Sequence, residues 1–169
     1  MAFPGATLPT RLVVCVDGTQ YSETAARKAS STQPSIHRIY AGLKRGKCAC
    51  SSSGLTFNQV ARYVPGIGSA DDAFSKDRLH ASVLGQGYLK QIQDVYESCC
   101  QLTGSQDEVW FFGYSRGAYV VRAVAGLLHH FGAVGTAGQP EFAKDFKKAL
   151  KEAERRQGHA SGLALSPVS

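Results

Sequence analysis

The chain has 169 residues, enough for one domain with a core of its own. No apolar run approaches the roughly 20 residues needed to span a bilayer, and Met1 to Thr10 lacks the basic start and long apolar stretch of a secretory leader. The net charge of +6 is spread over Arg27–Lys47 and Lys144–Arg156 and interleaved in the second stretch with Glu141, Asp145, Glu152 and Glu154. That pattern reads as a solvated helix face and not a nucleic-acid stripe, leaving open a weak attraction to anionic membrane surfaces.

The first element is Arg11-Leu-Val-Val-Cys-Val16, a β-branched run expected of a parallel strand buried on both faces. Asp17-Gly18-Thr19 ends it with a turn at the strand's C-terminal edge. Ser35 caps a short helix along which Ile36, Ile39, Tyr40 and Leu43 fall at i, i+3, i+4 and i+7. Lys44 to Gly54 reads as a polar loop, Val60 to Val64 as a second strand closed by Pro65-Gly66-Ile67-Gly68, and Ala70 to Leu79 as loop or short helix. Leu84, Tyr88, Ile92, Val95, Tyr96, Cys99 and Leu102 mark one face of a long amphipathic helix. Glu108 to Phe112 is the third strand. A helix from about Arg116 to His130 follows, with Ala118, Ala125 and Gly126 expected as its close-packing stripe. Glu141 to Arg156 is a last amphipathic helix with Phe142, Phe146, Ala149, Leu150 and Ala153 on one side. Residues 1–10 are expected to be a flexible N-terminus, 11–157 the folded domain and 158–169 a disordered tail.

Strands alternating with helices predict an α/β protein with a mainly parallel sheet. Ligands bind such sheets at the carboxyl ends of the strands. Asp17-Gly18-Thr19, Pro65–Ser69 and Ser115 all fall there, so they are expected on one rim.

The junction of the third strand and its helix carries the chemistry. Val109-Trp-Phe-Phe-Gly-Tyr-Ser-Arg-Gly117 is a buried-strand pattern running into Gly-x-Ser-x-Gly and a helix, the form of a nucleophile elbow. Gly113 and Gly117 would permit the tight turn, Ser115 would be the nucleophile, and the Arg116 N–H would be one oxyanion donor. Gly18 or Thr19 is the candidate for the second donor. Asp17 either holds that loop by hydrogen bonds or belongs to a plain Asp-Gly turn. Arg122 would meet an anionic substrate or, the preferred reading, form a structural salt bridge.

Other signals point away from cofactors and metals. Gly66-Ile-Gly68 has Asp71 where a dinucleotide fingerprint needs its third glycine, and no Walker sequence is present. The five cysteines, Cys15, Cys48, Cys50, Cys99 and Cys100, have neither zinc-site nor disulfide-scaffold spacing. Cys15 reads as a core residue and Cys48 and Cys50 as residues of the polar loop. This usage fits a reducing, cytoplasmic setting.

Phe112-Gly-Tyr-Ser-Arg-Gly-Ala-Tyr119, continuing through Arg122 to Ala125-Gly126-Leu127, resembles the signature of the type VI secretion phospholipase effector catalytic domain, an α/β-hydrolase family also found in fungi. Leu12-Val-Val-Cys-Val-Asp-Gly-Thr19 resembles its opening strand and turn, and Tyr63-Val-Pro-Gly-Ile-Gly-Ser69 its second rim loop. Gly85, Gly87 and Tyr96 match the helix before the elbow strand. The resemblance implies an α/β-hydrolase-like three-layer sandwich, a serine hydrolase, no cofactor, and a lipid or small ester substrate. It also implies a triad acid and histidine that follow the serine in the chain.

Those partners are not found after Ser115. The histidines there are His129, His130 and His159, and the aspartate is Asp145. His129 and His130 fall at the far end of the elbow helix, roughly 20 Å from Ser115 at ~1.5 Å per residue. Asp145 lies on an amphipathic helix, His159 lies in the expected tail, and His37 and His80 precede the elbow. The expectation is therefore a hydrolase domain incomplete at its C-terminal side and inactive alone, with an uncovered sheet edge open to self-association. The alternative is a non-catalytic hydrolase-like binding protein.

Overall fold

The computed structural model describes residues 8–18, 35–50, 54–66, 81–102, 104–135, 138–139 and 141–159. These form four strands, β1 (Thr10–Val16), β2 (Gly46–Ala49), β3 (Thr56–Val64) and β4 (Glu108–Gly113). Four helices accompany them, α1 (Ser35–Gly42), α2 (Ala81–Cys99), α3 (Arg116–Phe131) and α4 (Phe142–His159). The strands make one sheet in the order β2-β3-β1-β4. β1 runs parallel to both β3 and β4, and β2 pairs antiparallel with β3. This is an α/β fold with a mixed, mostly parallel sheet, consistent with part of an α/β-hydrolase-like architecture.

The alternation of side chains along β1 divides the core into two layers. Leu12, Val14 and Val16 face α2, α3 and α4, joining Ile92, Val95, Tyr96, Val120, Val124, Phe142 and Phe146 in the larger cluster. Val13 and Cys15 point to the other face and meet Ile36 of α1, with Tyr40, Leu43, Tyr63 and Phe112 around them. A strand packed on both faces has no solvated side, so its sequence shows no apolar–polar alternation.

Several boundaries differ from the sequence expectations. The polar loop of 44–54 contains β2, which is short and lies at the sheet edge, with only Cys48 buried among its residues. β3 begins at Thr56, four residues before the expected start. Its first turn of strand carries Asn58 and Gln59, whose polar side chains suit a strand beside a solvated edge. The packing stripe of α3 is Gly117, Val120, Val121, Val124 and Leu127. Of the expected stripe, Ala118 does pack closely, its Cα facing Gly113 of β4, whereas Ala125 is exposed and Gly126 has open space around its Cα, so further along the helix β-branched residues do the packing. The last helix runs to His159, which removes His159 from the expected tail. Residues 1–7, 160–169 and the Ala70–Leu79 stretch lie outside the described residues.

Candidate active site

The parallel registers bring three strand ends to one level. Val16 pairs with Val64 on one side and with Gly113 on the other. The Asp17 N–H donates to the Val64 carbonyl at 3.0 Å and the Tyr114 N–H to the Val16 carbonyl at 3.2 Å. Asp17-Gly18, Pro65-Gly66 and Tyr114-Ser115 therefore emerge together at the C-terminal rim. Thr19 and residues 67–69 lie outside the described residues. Gln91 of α2 donates to the Pro65 carbonyl at 2.7 Å and fixes the middle exit.

Ser115 stands at φ 52° and ψ −122°, and it has the positive φ that no other described non-glycine residue shows. Backbone in such a region costs on the order of 1–3 kcal/mol and persists only when its surroundings over-determine it. Here two glycines supply the constraint. A Cβ on Gly117 would lie 2.3 Å from the Val16 carbonyl oxygen and 2.7 Å from that of Asp17. A Cβ on Gly113 would lie 2.7 Å from the Ala118 Cα and from the Gly117 oxygen. Neither position admits a side chain, so strand, turn and helix close on one another only with glycine at both.

Beyond the turn, Gly117 N–H donates to the Tyr114 carbonyl at 2.8 Å and Ala118 N–H to the Ser115 carbonyl at 3.0 Å. The Arg116 N–H has no partner among the described residues and lies at the positive end of α3.

The end of β1 forms the second wall. Gly18 sits so close to the turn that a Cβ there would be 3.1 Å from both the Ser115 Cβ and the Tyr114 Cδ1. Asp17 is 1% exposed. Its Oδ1 accepts the Gly18 N–H at 2.9 Å and its Oδ2 accepts the Tyr63 hydroxyl at 3.0 Å. The Gly18 N–H is thus occupied. Tyr63 had no site role in the sequence reading beyond opening the second rim loop. Its link to Asp17 depends on the β1–β3 register, which sequence spacing does not reveal.

The remaining candidates sit elsewhere. His129 and His130 are exposed at the far end of α3. Asp145, on α4, pairs with Lys148 at 3.5 Å. His37 is buried on α1 against Tyr63, with no hydrogen-bond partner for its Nδ1 among the described residues. His80 and the side chain of His159 lie outside the described residues. Among the described residues, Ser115 hydrogen-bonds to no histidine through its side chain. Arg122 is exposed and makes no salt bridge among the described residues, contrary to the preferred expectation, because α3 presents no carboxylate one turn away from it.

Cys15, two residues before Asp17 in β1, is no rival nucleophile. Burial, and then the Asp17 carboxylate, push its thiol up to about 11, so it stays protonated and unreactive at neutral pH. Cys99 is raised to about 12, chiefly by burial. Among the described residues no group of His, Cys, Asp and Glu is arranged to hold a metal, and no helix is long and apolar enough to cross a membrane.

A family model described as T6SS, Phospholipase effector Tle1-like, catalytic domain, matches residues 10–164. No curated protein and no solved structure matches significantly.

Proposed function

The chain belongs to the T6SS phospholipase effector Tle1-like catalytic domain family, and from that premise we propose that Ser115 is the nucleophile of a serine hydrolase cleaving a carboxylic or phospholipid ester. The observation that carries the reading is the positive φ of Ser115 at a strand-to-helix turn flanked by two obligatory glycines. Such strain clusters at functional sites, and in this turn it lifts the hydroxyl clear of the sheet.

In the reaction, Ser115 Oγ bonds to the ester carbonyl carbon and the carbonyl electrons move to oxygen. The Arg116 N–H and the N-terminal end of α3 stabilise that oxyanion. The second donor comes from the turn after β1. Because the Gly18 N–H is taken by Asp17, Thr19 is the candidate for that role. The serine proton must pass to a base, which delivers it to the alcohol as the ester C–O bond breaks; water, giving its proton to the same base, then attacks the acyl-serine and releases the acid and free Ser115. On this reading the base and its acid come from residues outside the described set. The alternative, a hydrolase-like binding protein, is favoured by one observation: no histidine pairs with Ser115 among the described residues.

Treatment of the 169-residue chain with a fluorophosphonate should give a single adduct by intact mass, absent from Ser115→Ala. Turnover of p-nitrophenyl butyrate should stay far below the ~10 s⁻¹ of a median enzyme. No adduct at Ser115 would favour the binding alternative. Rapid turnover abolished by Ser115→Ala would refute the expectation that this chain is inactive alone.

A further inference from the structure

Resting on the hydrolase reading of Ser115, we infer that Tyr63 is a positioning residue, whose hydroxyl holds Asp17 so that the Gly18 turn is braced against the nucleophile. Asp17 is a carboxylate with 1% exposure. A buried charge of that kind persists only when hydrogen bonds replace its water. Among the described residues it has two donors, the Gly18 N–H at 2.9 Å and the Tyr63 hydroxyl at 3.0 Å. One donor is the turn to be held and the other is the anchor.

The anchor is itself fixed. The Tyr63 ring meets His37 edge-on at 5.3 Å between centroids and Tyr40 at 5.4 Å. Its strand is registered residue for residue with β1. The held end is equally constrained, since Gly18 leaves only 3.1 Å between an added Cβ and that of Ser115. The chain of contacts therefore runs from the aromatic layer under α1, through Tyr63 and Asp17, to the wall of the elbow. Loss of the Tyr63 hydroxyl strips a buried carboxylate oxygen of the one donor it has among the described residues, and Asp17 relieves this by turning away and loosening its grip on Gly18. A nucleophile misplaced by about 1 Å loses on the order of 10²-fold in rate, so a slackened wall acts on the chemical step and not on ligand affinity.

The test compares Tyr63→Phe, which keeps the ring, with Tyr40→Phe, which removes a neighbouring hydroxyl that does not reach Asp17. Two quantities are measured on the full chain. One is fluorophosphonate inactivation of Ser115, resolved into its maximal rate and half-saturation. The other is exchange of the Gly18 amide proton by NMR. Tyr63→Phe should lower the maximal inactivation rate about tenfold with half-saturation within about twofold, and should speed Gly18 exchange by about tenfold or more. Tyr40→Phe should leave both unchanged.

Equal inactivation and equal Gly18 exchange in Tyr63→Phe and wild type overturn the brace. So does a change confined to half-saturation. Where wild type gives no Ser115 adduct, the hydrolase reading fails, and the brace stands or falls on Gly18 exchange alone. Should Tyr63→Phe not fold, Asp17→Ala, which removes both acceptor oxygens, carries the same readouts with the same expected directions.

Discussion

β1 and β4 are neighbours, run parallel and carry nearly uninterrupted apolar sequence, yet their burial differs. In β1 every residue from Leu12 to Val16 is buried. In β4 none of the six residues is fully buried, and Trp110 is 49% exposed. The cause is position in the sheet. β1 has a partner strand on each side and helices on both faces, whereas among the described residues β4 pairs with β1 alone. The comparison teaches that the two strands stabilise the rim in different ways. β1 is a packed pillar, while among the described residues β4 is held by a strand on one side only, by Val109, Phe111 and Phe112 laid against the two clusters, and by the elbow that leaves its end.

If that is right, the largest effect should come from prising the elbow off β1. Gly117→Ala places a methyl 2.3 Å from the Val16 carbonyl oxygen, where backbone, not a flexible side chain, must move. We expect a loss of about 3 kcal/mol, at the upper end for an overpacked site, read by urea denaturation. A loss below about 1 kcal/mol would mean that the elbow is only loosely apposed to β1.

Next in size is the contrast within the strands themselves. Val14→Ala, at a position with no exposure, should cost about 2 kcal/mol through lost transfer energy and a residual cavity. Trp110→Ala removes a far larger side chain but one half in water, held by its Nε1 donation to Glu108 at 3.0 Å and by the Arg11 guanidinium 5.3 Å from its ring. It should cost less than Val14→Ala. The reverse order in thermal melts would show that β4 is covered by something beyond the described residues.

Smaller again is the strain at the junction. Ser115→Gly admits the positive φ without steric penalty and should be about 1 kcal/mol more stable than Ser115→Ala, which keeps the strain while also removing the hydroxyl. Equal melting temperatures for the two variants would remove the argument from strain.

The same contrast explains what the sequence could and could not convey. β1 was legible because two-sided burial leaves a β-branched run, and the elbow because Gly113, Ser115 and Gly117 are spaced by the turn itself. The parallel sheet followed from the alternation of elements. β2 was not legible, since a four-residue edge strand with one buried side chain needs no apolar pattern. The packing face of α3 was misassigned in part because small residues suggest close approach, yet only the first turn, Gly117 and Ala118, makes it, while Ala125 and Gly126 lie where nothing approaches. At the site, Ser115 and its glycines could be named from spacing, and Asp17 from its place after a strand. Tyr63 could not, because its hydroxyl reaches Asp17 across a pairing of β1 with β3 that no local pattern encodes.

The smallest expected effect lies at the opposite end of the two strands, where Arg11 Nε meets Glu108 Oε2 at 2.9 Å. Hydrogen bonds from Trp110 and then from Arg11 hold the Glu108 carboxyl below its usual range. A carboxylate whose folded pKa is depressed adds stability above its unfolded pKa and loses it as pH falls through the folded value. Glu108→Gln should therefore lower stability near neutrality, and the deficit should shrink as both proteins are acidified below about pH 4. Because the side chains are 23% and 49% exposed, solvent screening limits the effect to at most about 0.5 kcal/mol, and salt should reduce it further. A deficit that is large, independent of pH or insensitive to salt would instead assign Glu108 to the packing of Trp110, and β4 would then owe its position to Trp110 as well as to the two clusters and the elbow.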